Sequence, residues 1–101
     1  MHPLIETNRE AIANVCRRYG VKRLEVFGSV LREDFDLANS DVDVVAEFEA
    51  SKATSFTNYL DFKQALESLF ARPVDVLQSG VVRNPYIRRE IELSKTPVYA
   101  A

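Results

Sequence analysis

No stretch of this sequence approaches the ~20 consecutive apolar residues that a membrane-crossing helix needs, so no membrane association is expected. Cysteine occurs once, as Cys16, which excludes an internal disulfide framework and is compatible with a reducing cytoplasm. There is no basic excess: 13 Lys and Arg face 15 Asp and Glu, for a net charge of -2, and direct nucleic-acid binding is not expected. The first ten residues, MHPLIETNRE, place an acid where a secretory leader has its apolar core. The one histidine, His2, lies at the terminus and is assigned no role. Repeats, low-complexity runs and interdomain linkers are missing too. A single folded cytoplasmic domain over residues 1–101, with 47% hydrophobic residues, is the expectation that remains.

What is present is ordered by periodicity. Thr7 and Glu10 form a T-x-x-E capping box, followed by Ile12, Val15, Cys16 and Tyr19 on one helical face, with Gly20 suited to the C′ position. A helix over about 8–19 follows, with Cys16 as a packed structural thiol. "KRLEVF" and "DVDVVAEF" alternate polar with apolar residues and read as strands over about 22–27 and 41–48. Tyr59, Phe62, Leu66, Leu69 and Phe70 recur at helical spacing, and "RPVDVL" gives a short third strand. Asn84 and Pro85 open a last helix as N-cap and N1, and "TPVYA" reads as a fourth strand. The order α-β-(turn)-β-α-β-α-β predicts an α/β fold of the α+β type: a mixed sheet of about four strands with helices packed on one face.

Against that frame, "FGSVLREDFDLANSDVDVV" stands out, because it spends two carboxylates on one strand. Asp41 and Asp43 share a face about 7 Å apart, while Val42 and Val44 point to the core. Without a cation the pair is repulsive, and a divalent metal relieves it. Asp75, flanked by Val74 and Val76, joins the same face if its strand adjoins. Three converging acids can hold two divalent ions, a clamp for in-line phosphoryl displacement, and the third can take a proton from the attacking hydroxyl. Gly28 lets the backbone approach a ligand closely, and Ser29 and Arg32 can bind phosphate oxygens.

Gly28-Ser29, eleven residues, Asp41-x-Asp43, the later Asp75 and the tail "RNPYIRREIELSKTPVYA" together closely resemble the DNA polymerase β-like nucleotidyltransferase superfamily. The small size points within it to the minimal nucleotidyltransferases, and the resemblance covers nearly the whole chain. It implies that Gly28, Ser29, Arg32 and Ser40 bind the nucleotide, and that Asp41, Asp43 and Asp75 form the catalytic and Mg²⁺-binding set, with two ions. It also implies ATP as substrate and transfer of AMP to a hydroxyl, a tyrosine of a HEPN-type toxin for which such chains are antitoxins. Glu33 departs from the family pattern, standing where many relatives have Gly, and Leu31 stands in an Ala position.

Other metal and nucleotide patterns fail on spacing. An EF-hand counted from Asp34 has Asn39 at position 6 and Val45 at position 12, where Gly and Glu are needed. A D-x-D-x-T site has Val45 in place of Thr, and no G-K-[ST] marks a P-loop. Asp34 and Asp36 read as a solvated loop, and Tyr86, Arg88 and Arg89 as an exposed helix face or a partner-facing or nucleotide-facing surface. The alternative of another class is a non-catalytic module that neutralises a partner toxin by masking it.

Overall fold

Helical spacing of apolar residues and period-two alternation are both realised in the computed structural model, which describes residues 3–27, 42–51, 55–78 and 85–101. Among these the order is α1 (Pro3–Thr7), α2 (Arg9–Arg18), β1 (Val21–Phe27), β2 (Val42–Phe48), α3 (Phe56–Phe70), β3 (Val74–Gln78), α4 (Pro85–Ser94) and β4 (Thr96–Ala100). The strands form one mixed sheet in the order β3-β2-β1-β4. β1 runs antiparallel to both β2 and β4, and β2 pairs in parallel with β3.

Ile12 and Cys16 of α2 are buried, as are Phe62, Leu66 and Phe70 of α3. These side chains meet Leu24, Val26, Val42, Val44, Ala46, Val74 and Val76 in one apolar cluster. Phe62 sits at its centre, edge-on to Phe48 at 5.5 Å and to Tyr19 at 6.3 Å between ring centroids. Burying that ring contributes about 2–3 kcal/mol. Gly20 takes φ 70° just beyond α2, the left-handed turn expected of it. At the head of α3 the Asn58 amide donates to Ser55 Oγ at 3.1 Å, while Asn58 Nδ2 donates to the Tyr19 carbonyl at 2.7 Å and ties α3 to the end of α2.

The start of the chain corrects the expected capping box. Thr7 closes α1 instead of capping α2, whose N-cap is Asn8 with no side-chain capping bond. Ile5 is fully buried, which winds residues 3–7 into a helix of their own. Glu6 is spent on Arg9, which donates to both carboxylate oxygens at 3.1 and 3.2 Å and holds that carboxyl below its ordinary range. The observed order therefore begins α-α, not α. Asp41 and Asn84, expected to open a strand and cap a helix, lie outside the described residues; Pro85 is the first residue of α4.

Candidate functional site

Alternation divides β2 between two environments. Val42, Val44, Ala46 and Phe48 face the core with α2 and α3, leaving Asp43, Val45 and Glu47 on the opposite face. In β3 the same rule buries Val74 and Val76 and turns Asp75 outward. Because the two strands pair in parallel with Asp43 opposite Asp75, both carboxylates stand on the same face. Adjacent strands are about 4.8 Å apart, so the acids are immediate neighbours. Phe27, the last residue of β1, completes that level of the sheet as the other partner of Asp43.

Backbone bonds at the strand starts fix this level. The Val42 amide donates to the Pro73 carbonyl at 3.2 Å, joining the approach to β2 with the approach to β3. The Val74 amide donates to Glu67 Oε2 at 3.1 Å, so a helix carboxylate fastens the residue next to Asp75. Farther along, Tyr59 Oη donates to the Val76 carbonyl at 2.9 Å. Asp43 is half-buried and Asp75 exposed.

Two like charges opposite each other on adjacent strands are destabilising unless a cation intervenes. Paired carboxylates are hard oxygen donors, the chemistry that suits Mg²⁺. The pair is chemically suited to a divalent ion, and Asp75 stands on the face expected of it if its strand adjoins β2. Among the described residues no three acid, histidine or cysteine side chains converge on one point. The remaining expected site residues, Gly28, Ser29, Arg32, Ser40 and Asp41, lie outside the described residues, as do Glu33, Asp34 and Asp36.

The same face holds a pair that no motif announces. Glu25 of β1 is opposite Val45 and only 7% exposed, and Lys95 Nζ stands 3.9 Å from its Oε2. The available signal is a lone acid between Leu24 and Val26 in an alternating strand. On α4, Tyr86, Arg88 and Arg89 are exposed, as expected of that helix face. Among the described residues no helix is long and apolar enough to cross a membrane.

Residues 9–98 match the family model described as a nucleotidyltransferase domain. Protein adenylyltransferase MntA of Thermococcus cleftensis is 32% identical over 79 residues, covering 73% of this chain and 75% of the relative. A solved structure of a candidate minimal nucleotidyltransferase is 32% identical, with a TM-score of 0.68 and 96% of each chain covered. The tri-AMPylated HEPN toxin of Shewanella oneidensis in complex with its MNT antitoxin also contains a match. There the TM-score is 0.66 at 13% identity, over 96% of this chain and 73% of the other, a likeness of fold alone.

Proposed function

The chain belongs to the nucleotidyltransferase domain family, and from that premise we propose that it transfers AMP from ATP to a tyrosine hydroxyl of a HEPN-type toxin and thereby acts as the toxin's antitoxin. One observation carries the chemistry: Asp43 and Asp75 stand side by side on the face away from α2 and α3. The relative named protein adenylyltransferase supports the choice of AMP and of a protein acceptor. The fold shared with the MNT antitoxin of the HEPN complex supports the choice of partner.

In this reading Asp41, Asp43 and Asp75 hold Mg²⁺, and Gly28, Ser29, Arg32 and Ser40 receive the triphosphate. Mg²⁺, when bound, neutralises phosphate charge and lowers the barrier to displacement at phosphorus. The acceptor oxygen forms a bond to the α-phosphorus as the bond to the bridging oxygen breaks, and pyrophosphate leaves. Asp75, exposed beside Asp43, takes the proton of the attacking hydroxyl. Asp43, half-buried between Phe27 and Asp75, is fixed by strand pairing on both sides.

Asp43→Asn and Asp75→Asn remove charge while keeping shape, so each should fold normally. Each should lower the transfer rate by roughly 10²–10⁴. Intact-mass measurement of the toxin co-expressed with each variant reads added AMP directly. A variant that protects cells fully while its partner stays unmodified shows neutralisation by masking, and the enzymatic reading then fails.

A further inference from the structure

The face that carries Asp43 and Asp75 also carries a cation, and its place in the sheet is fixed by register. Thr96 pairs with Val26, and Val26 with Val44. Lys95, one residue earlier, therefore stands at the level of Phe27, Asp43 and Asp75. Its ammonium lies on the same face as the acids, because it reaches Glu25, which sits two residues from Phe27 on β1. Across that level run a cation on the β4 side and two carboxylates on β2 and β3. Lys95 and Asp43 begin two strand spacings apart, about 10 Å.

The two carboxylates around Lys95 differ in kind. Glu25 is buried, and a buried carboxylate keeps its counter-charge because separation leaves it unpaired in a poor solvent. Glu92 accepts a hydrogen bond from Lys95 Nζ at 3.2 Å, but its side chain is 69% exposed. An exposed pair of this type contributes little and exchanges readily. An ammonium has three N–H donors, and Glu25, at 3.9 Å, supplies charge without occupying one at hydrogen-bond distance. Among the described residues the Lys95 ammonium meets Glu25 and Glu92, and its side chain is 30% exposed, so donor capacity remains for an anion.

We infer that Lys95 binds the polyphosphate of the nucleotide from the β4 side, and that Glu25 is the positioning residue that holds it there. The inference rests on the nucleotidyltransferase reading and adds a second anchor to it. The carboxylates draw the divalent cation to one end of the level, and Lys95 draws the phosphate tail toward the other. No further bond is made or broken; the ammonium offsets negative charge as pyrophosphate departs.

The deciding measurement is the affinity for a non-hydrolysable ATP analogue with Mg²⁺, set beside that for AMP. Lys95→Met keeps the aliphatic stem and loses the charge. It should weaken analogue binding roughly tenfold, the scale of one charge-assisted hydrogen bond. AMP, lacking the tail, should bind nearly as before, and Lys95→Arg should retain most of the analogue affinity. Glu25→Gln separates positioning from simple charge: loss of positioning weakens analogue binding, whereas removal of a negative charge alone strengthens it. Lys22→Ala, which breaks only the exposed pair with Glu47, should change neither affinity. Equal losses for the analogue and AMP in Lys95→Met mark a structural ion pair and overturn the inference, as does unchanged or tighter analogue binding in Glu25→Gln. If the unaltered chain binds the analogue and Lys95→Met binds it equally, only this inference falls. An unaltered chain that binds no nucleotide overturns the family reading of the site along with it.

Discussion

Cys16 shows how one buried side chain ties this fold to pH. Burial against α3 and the sheet pushes its thiol from an ordinary 9.0 up to about 12, outweighing the opposing pull of Arg17. In the unfolded chain the thiol ionises near 9, while in the folded chain it stays protonated. Between these values the folded state binds the extra proton, so the contribution to stability is complete below pH 9 and lost progressively as pH rises toward 12. Urea melts should therefore show a falling midpoint over that alkaline window, and Cys16→Ala should flatten the fall attributable to this group. A thiol reagent at pH 8 should leave the native protein unlabelled and modify it in urea. Rapid labelling of the native protein would contradict the buried placement.

At the scale of elements, the junction between α3 and β3 determines whether the two site carboxylates stay level. Glu67 serves it twice: its backbone carbonyl accepts from the Arg72 amide at 3.3 Å, and its carboxylate from the Val74 amide at 3.1 Å. Glu67→Ala should cost about 1–2 kcal/mol by leaving the Val74 amide unpaired. Glu67→Gln should cost less, because the amide oxygen still accepts. Denaturant midpoints with an unchanged slope would register this, and equal stability of all three chains would refute it. Much of this scale was legible beforehand, for local reasons. The stripe in α3, the Gly20 turn and the alternation in β2 and β3 are written in consecutive residues, and burial follows them. The pairing of β2 with β3 was readable only as a condition, since α3 stands between the strands and no local pattern encodes register. Thr7 misled because a short capping pattern carries no information on the buried Ile5 five residues before Glu10. Glu25 and Lys95 stayed hidden because they are 70 residues apart and meet only when β4 joins β1.

Over the whole molecule, the sheet order β3-β2-β1-β4 sets the candidate acids on strands of unequal security. Asp43 belongs to a strand paired on both sides, Asp75 to a five-residue strand at the margin of the sheet that the described residues form. Margins open more easily than centres, and local opening there does not require the core to separate. Heating should therefore stop AMP transfer below the temperature at which the protein melts. Amide exchange followed by mass spectrometry should report faster exchange in residues 74–78 than in 42–48, and equal protection of both would remove the basis for this expectation. If the site takes a nucleotide and metal as proposed, contact with Asp75 would act as a fastener: bridging the two acids would slow exchange in the marginal strand first. Thermal endurance of the activity becomes a property of the loaded site, and a cell running short of nucleotide would lose the enzyme's function before losing the enzyme.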